Sequence, residues 1–534
     1  MRCREVSPRQ AALVILEAWF GGDRTPSTTS LPLTDFQHDA VSRLDRIFEQ
    51  RRGALLADAV GLGKTFVALA IIDRALQRDE SVALVIPAAL RRHWLHHLKR
   101  LPANRRAAVA VLTHTALSFG RASNTDFALV VVDEAHAFRN PRTRRYASLL
   151  QVTRSARVLL LSATPVNNRL EDLYHQIALF AADHDFAYLG VGSLRTVFKH
   201  AGTDPRAQQS VQRVLEAVMV RRSREHVRST QHGLAFPTRA PPNAIRYDLV
   251  AAYGSAWSTV YNALGQLSFA AFSNSGIPTA VELMRLQLLK RLESSIAAFT
   301  SSVRRQLQIN RLLLGSLGAE RWIKPASLRS LIVGDGMDAQ LTLDALLTEI
   351  VPRGCNTAEL HAAATTDVRL LQACLRALGG ADALGDPKLA ALSPLVARHN
   401  GIIVFTQYRD TAVYVWRDLL RHSRVGLVHG SEARLGTQRA ARSTVIECFA
   451  PRANGARLPH ERMRLDVLVA TDVLSEGLNL QDASTVISYD LPWNPVTLMQ
   501  RIGRVDRLGS AHETINVYNF LPDRGLDALL HLVE

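Results

Sequence analysis

The segment Leu56-Ala57-Asp58-Ala59-Val60-Gly61-Leu62-Gly63-Lys64-Thr65 sets two glycines, a lysine and a hydroxyl residue at the spacing of a phosphate cradle. Gly61 and Gly63 let backbone N–H groups turn inward around phosphate oxygens. Lys64 is placed to reach the β- and γ-phosphates, and Thr65 to offer its hydroxyl to Mg²⁺. The strict pattern has glycine where Asp58 stands, so this is a variant loop. Near the other end of the chain lies Gln500-Arg501-Ile502-Gly503-Arg504-Val505-Asp506-Arg507. Arg504 and Arg507 are three apart and share a face if the segment is helical. Arginine is always charged and donates in a fixed fork, which suits charge developing on a γ-phosphate. Together the segments describe a nucleotide site whose two halves close on ATP and reopen after hydrolysis.

Between them, Val130-Val131-Val132-Asp133-Glu134-Ala135-His136 reads as a buried strand ending in paired carboxylates. Asp133 can hold Mg²⁺, and Glu134 can polarise an attacking water as general base. Leu161-Ser162-Ala163-Thr164-Pro165 closes another strand with small hydroxyl residues, suited to sensing nucleotide state. His93 and His97 are four apart, but no carboxylate completes a zinc pattern, and a basic helix face with Trp94 turned inward is the better reading. Arg142, Arg144 and Arg145, and Arg221, Arg222 and Arg224, are either solvated charge or contacts to nucleic-acid phosphates. Trp493 is suited equally to stacking on a base and to core packing.

The elements that must position these residues are short and apolar. Runs at 53–57, 82–86, 109–112, 128–132 and 158–161 alternate with helical patterns, the signature of a parallel sheet covered on both faces. Alternation resumes at 401–405 and continues through 425–428, 466–470, 485–488 and 514–518. Between the two series, residues 253–272, 280–314 and 358–378 read as helices. The expected architecture is α/β, with two parallel-sheet lobes around a helical insertion. The expected boundaries are an N-terminal helix and linker over 1–30, a first lobe over 31–236, the insertion over 237–387 and a second lobe over 388–534.

Composition bounds the partners. The 534 residues carry a net charge of +16, which favours polyanions by steering and counterion release. Lysine is confined to Lys64, Lys99, Lys199, Lys290, Lys324 and Lys388, so the excess is arginine. The four cysteines, Cys3, Cys355, Cys374 and Cys448, have no metal or redox spacing, which fits a reducing, cytoplasmic setting. No run of about 18 apolar residues exists, so no membrane partner is expected.

The motifs, in this order, resemble those of superfamily 2 ATPases with two RecA-like lobes, and within them the Swi/Snf-type translocases. The matching residues are 56–65, Asp133-Glu134-Ala135-His136 (the DEAH box), 161–168, Asp490-Leu491-Pro492-Trp493-Asn494-Pro495 and 500–509. Phe36-Gln37 is similar to the family's upstream adenine-sensing glutamine, Leu84-Val85-Ile86-Pro87 with Trp94 to its next motif, and Thr113-His114 to a following one. Residues 471–481, including Gly477, and Arg507-Leu508-Gly509 resemble the bacterial branch that contains the RNA-polymerase-recycling ATPases. Leu288-Leu289-Lys290-Arg291-Leu292-Glu293-Ser294-Ser295 is similar to helicase-like proteins found beside phage-defence genes.

The resemblance implies an ATP- and Mg²⁺-dependent motor on double-stranded DNA. It implies catalysis by Glu134, Arg504, Arg507 and Gln500, nucleotide binding by Gln37, Gly61, Gly63, Lys64, Thr65, Asp133 and Gly477, and Mg²⁺ on Thr65 and Asp133. A protein displaced from DNA or a defence-system partner would be its target. Two other readings stand beside it: a strand-separating DNA or RNA helicase, and a non-cycling nucleotide-gated clamp. Ala59 departs from the acidic residue usual at its position. The family also usually continues past the second lobe with a bracing helix and accessory domains, so a missing C-terminal extension is expected.

Overall fold

A computed structural model of the chain describes residues 31–119, 126–163, 170–230, 236–273, 280–318, 356–379, 385–430, 432–458, 460–472, 479–507 and 509–522. The N-terminal helix and linker expected over 1–30, residues 164–168, Gly477, Leu508 and the chain beyond 522 lie outside these. The chain divides into two compact units, one ending at His232 and the other beginning at Gly233.

The first unit is built on a six-stranded sheet of β1 (Gly53–Leu56), β2 (Val82–Ile86), β3 (Val109–Thr113), β4 (Leu129–Val132), β5 (Arg157–Leu161) and β6 (Met219–Val220). The order is β3-β2-β4-β5-β1-β6, and every pairing is parallel. Strands β1, β2, β4 and β5 are buried along nearly their whole length because helices cover both faces, while the edge strands β3 and β6 are partly exposed. Leu55 and Ala57 enter one core, whereas Ala54 and Leu56 enter the other. That alternation is the two-residue period of a pleated strand. Helix α1 (Asp35–Gln50) precedes β1, α2 (Lys64–Gln77) follows it, and α3 (Arg91–Leu98) follows β2.

The second unit is built on a mixed sheet. Its strands β9 (Ile402–Thr406), β10 (Val425–His429), β13 (Val467–Thr471), β14 (Thr485–Ser488) and β15 (Thr514–Pro522) are parallel, in the order β10-β13-β9-β14-β15. Beyond β10 the short hairpin β11 (Glu432–Leu435) and β12 (Gln438–Arg439) is antiparallel, an edge that the apolar pattern did not reveal. At the opposite edge, β7 (Thr238–Arg239) and β8 (Asn243–Tyr247) both pair with β15. The residues that open the segment expected as the helical insertion, 237–387, therefore join this sheet. Proline at 241 and 242 breaks the ladder between the two strands, because it has no N–H to donate.

The helical block contains α4 (Ala280–Ser294), α5 (Ile296–Gly318) and α6 (Thr357–Leu378), followed by α7 (Pro387–Arg398) and α8 (Arg409–Leu419). The stretch read as one helix over 280–314 is two, parted at Ser295, and 253–272 is broken into shorter helices, the longest Trp257–Gln266. The block shares one core with the sheet: Leu288, Leu292, Phe299 and Leu371 pack in a cluster with Ile402, Val404, Val467 and Ile487. No helix among the described residues is long and apolar enough to cross a membrane.

Gly53 opens β1 directly before the glycine-rich loop, and a Cβ there would run into the Phe180 ring. Gly53→Ala is expected to destabilise the first unit by about 1–3 kcal/mol, the usual cost of overpacking. A thermal melt with an unchanged midpoint would contradict that packing.

Candidate active site

In an all-parallel sheet the strands end on one edge, and that edge carries the chemistry. The chain leaves β1 into residues 57–65, β3 at His114, β4 at Asp133, β5 at Ser162 and β6 at Arg221. The sheet ladder extends into this edge. Asp133 N donates to Val85 O at 2.8 Å, Ser162 N to Leu56 O at 3.1 Å and Ala57 N to Val220 O at 2.8 Å.

Gly61 and Gly63 take φ of 88° and 80°, the left-handed region that L side chains avoid. Helix α2 begins at Lys64, so its first-turn N–H groups face the loop, a ready anion site. Lys64 Nζ donates to Asp58 O at 2.8 Å, and Thr65 is half-buried on the helix's first turn. Gln37, buried against the loop, donates from Nε2 to Leu62 O at 3.2 Å. Its Oε1 accepts the Thr34 N–H at 3.1 Å in the capping box of α1. Each atom of this amide keeps one further hydrogen-bonding position, which is what an adenine edge needs.

Asp133 is held from two sides. Its Oδ2 accepts the Trp94 indole N–H at 2.7 Å and its Oδ1 the Glu134 N–H at 2.9 Å. Burial pushes its carboxyl up to about 6, and the Glu134 charge adds to that. The Trp94 hydrogen bond and the Lys64 charge act in the opposite direction. A carboxylate strained in this way is relieved by a cation. The hydroxyl of Thr65 and the carboxylate of Asp133 are hard oxygen donors that fit Mg²⁺. Glu134 sits at φ 49°, a left-handed conformation uncommon outside glycine and found at functional sites. Its Oε2 lies 3.3 Å from His136 Nδ1. His114 Nε2 lies 3.1 Å from Asp133 O, and burial lowers its pKa to about 4, so the ring is neutral.

Sequence reasoning placed Trp94 inward but did not find its bond to Asp133. It also read Arg222 and Arg224 as solvated charge or contacts to nucleic acid. The structure turns both onto the glycine-rich loop: Arg222 pairs with the Asp58 carboxylate, and Arg224 Nε donates to Val60 O at 3.0 Å. Arg221 remains exposed. The His93 and His97 rings meet edge to face with centroids 4.4 Å apart, and Phe66 meets His97 in the same way. Among the described residues no group of three or more His, Cys, Asp or Glu could hold a metal ion.

In the second unit the arginine segment follows helix α9 (Pro495–Ile502), which bears Gln500 half-buried near its end. The helix stops at Ile502, so Arg504 and Arg507 do not share a helical face as their spacing allowed. Arg507 instead folds back, donating to Gly503 O at 3.2 Å and to Asn479 Oδ1. Arg504 is buried, and its carbonyl accepts from Leu480 N at 3.3 Å. Asp506, also buried, is paired with Arg239 of β7. Arg501 has no exposure. It grips both oxygens of Asp472, at the end of β13, and donates to Asp490 O at 2.9 Å.

The Asp490 carboxylate in turn takes Ser294 Oγ at 2.6 Å, Gln407 N at 2.7 Å and the Thr406 hydroxyl. The helix motif 288–295 thus reaches the strand ends that position the arginine segment. Trp493 is about half exposed, with Lys290 Nζ 5.0 Å from its ring centroid.

Three family models match the chain: "Type III restriction enzyme, res subunit" over residues 30–167, "SNF2-related domain" over 118–239 and "Helicase conserved C-terminal domain" over 387–509. The chain thus carries an SNF2-related and a helicase C-terminal domain, and is similar to the Swi/Snf-type helicases. Such domains are those of a nucleic-acid-dependent ATPase. The "Uncharacterized ATP-dependent helicase YqhH" of Bacillus subtilis is 23% identical over 92% of this chain and 75% of its own length. The "RNA polymerase-associated protein RapA" of Cronobacter sakazakii is 25% identical over 86% of this chain, which spans only 45% of that relative. A Xenopus tropicalis "SWI/SNF-related matrix-associated actin-dependent regulator of chromatin subfamily A-like protein 1" is 31% identical over 37% of this chain and 23% of its own length.

Asp472→Ala leaves the fully buried Arg501 guanidinium with Asp490 as its remaining acidic neighbour. Breaking a buried pair from one side is strongly destabilising, and a loss of about 2–4 kcal/mol is expected. Denaturant unfolding reads it, and a wild-type midpoint would show that the pair holds nothing.

Proposed function

We propose that the chain binds and hydrolyses ATP with Mg²⁺ and uses the cycle to move along double-stranded DNA. There it would act in bacterial phage defence or displace proteins from DNA. The observation that carries this reading is the meeting of the glycine-rich loop, Asp133 and Glu134 on one parallel-sheet edge, in a chain that also bears the arginine segment. The net charge of +16 supports a polyanionic track. The motif at 288–295 supports the defence setting.

In this proposal Lys64 and the first-turn N–H groups of α2 bind the β- and γ-phosphates, and Gln37 reads the adenine edge. Thr65 and Asp133 hold Mg²⁺, which when bound neutralises phosphate charge. Glu134 orients the attacking water and takes its proton, with His136 beside it. Arg504 and Arg507, supplied by the second unit with Gln500 and Gly477, stabilise charge at the γ-phosphate.

ATP turnover is expected to rise on adding duplex DNA, and to be lost in Lys64→Ala and Glu134→Gln. Equal rates with and without duplex would overturn the DNA-driven motor. A fluorescent duplex should stay paired during turnover, whereas strand release would favour an unwinding helicase. Arg504→Ala should keep ATP affinity while turnover falls by about 10³-fold, the scale of a lost arginine finger. Lost binding with unchanged residual turnover would count against that role.

A further inference from the structure

Beneath the glycine-rich loop lies a buried charge that this catalytic scheme does not use. Asp58 stands where a strict loop has glycine, and it has no exposure. A lone carboxylate there would oppose the binding of a polyphosphate. The carboxylate is answered from the segment that leaves β6. Arg222 N donates to Asp58 Oδ1 at 3.0 Å, Arg222 Nε to the same oxygen at 3.1 Å, and Arg222 Nη2 to Oδ2. Ala59 N donates to Arg222 O at 3.0 Å, so main chain and side chain are stitched together. The guanidinium also lies 5.2 Å from the centroid of the Phe36 ring, next to Gln37.

The loop's carbonyls show a second regularity. Those of Asp58, Val60 and Leu62, at alternate positions, each accept from a side chain: Lys64, Arg224 and Gln37 respectively. A loop that binds phosphate through N–H groups must turn its carbonyls elsewhere, and these donors take them.

We propose that Arg222 is a positioning residue for the phosphate loop: it neutralises Asp58 so that Lys64 stays available to nucleotide, while Arg224 holds the loop's carbonyls away from the phosphates. Lys64 Nζ lies 2.8 Å from Asp58 O, so it is already beside this aspartate. Without Arg222, the unpaired carboxylate would capture Lys64, and the phosphates would lose a cation and face an added anion. Lysine at 222 would be a poor substitute, because it cannot span both carboxylate oxygens. The proposal rests on the ATP-binding reading above and adds the residues that tune it.

The test is titration of the full-length chain with a fluorescent ATP analogue and Mg²⁺, together with steady-state ATP hydrolysis. Arg222→Gln is expected to weaken binding and raise KM by about 10- to 100-fold, the scale of leaving one buried partner uncompensated, with kcat changed less. The double variant Asp58→Asn/Arg222→Gln should recover to within about threefold of wild type, because it removes the uncompensated charge. Unchanged binding in Arg222→Gln, or a double variant no better than the single, would overturn the proposal while leaving the ATP site standing. Wild-type chain that binds no nucleotide would overturn both. Should Arg222→Gln fail to fold, the double variant decides: folding with near-wild-type affinity supports charge compensation, and failure to fold rejects it.

Discussion

Parallel strand pairing is the constraint on which the first unit depends. Because β1, β4, β5 and β6 run the same way, the residues after each of them must emerge on one edge. The strand order then sets the neighbours. β5 lies between β1 and β4, so Ser162 stands between the glycine-rich loop and the paired carboxylates, and β6 delivers Arg222 to the loop's other flank. A sheet covered on both faces is apolar throughout, and polar chemistry is confined to where strands end. Lys64, Asp133 and Arg222 are separated in sequence but share an edge for this reason.

That edge concentrates charge where water is scarce, and each buried charge has its own answer. Asp58 receives a bidentate guanidinium. Asp133 receives an indole N–H and a backbone N–H, which hold its carboxylate without cancelling its charge. The difference matches what each group has to do. Asp58 is neutralised beneath the loop, whereas Asp133 keeps a raised pKa that a cation can relieve. The left-handed backbone at Glu134 belongs with this economy, since strain is tolerated where surrounding structure over-determines it.

The second unit repeats the scheme with a different emphasis. Its arginine segment is fastened below by Arg501 on Asp472 and Asp490, and at its side by Asp506 on Arg239. Asp490 is shared with Ser294, at the end of α4 where the long helix breaks, so the helical block and the arginine segment meet at one carboxylate. Nearby, Lys388 Nζ donates to the carbonyls of Glu293 and Ser294, and Lys290 pairs with the Glu293 side chain. Burial lowers the Lys388 pKa and raises that of Glu293, while the neighbouring opposite charges oppose both shifts. Such a polar cluster fixes one docking of helix on sheet, because any slip would strand a buried charge.

The sequence by itself determined the strands, the glycine-rich loop and the carboxylate pair, because these are local. Two-residue and 3.6-residue periodicities and turn chemistry act over a few neighbours. The runs at 82–86 and 485–488 coincide with β2 and β14, and the others differ by a residue or two except at 514–518, which extends to Pro522. The motif at 288–295 was legible as well, but the helix break at Ser295 was not, and 280–314 reads as one helix. Tertiary structure decided what depends on contacts distant along the chain. Strands β7 and β8 form only because β15 offers an open edge, and their two- and five-residue lengths carry little signal alone. Arg222 reads as surface charge until folding brings it to Asp58, 164 residues away along the chain, and Trp94 reads as core packing until β4 delivers Asp133. Arg504 and Arg507 have helical spacing, but the helix ends at Ile502, where Asn479 and Arg239 draw the following turn into the sheet's edge. Spacing reports which residues can do chemistry, while pairing of buried charge reports which neighbours hold them, and only the folded chain brings those pairs together.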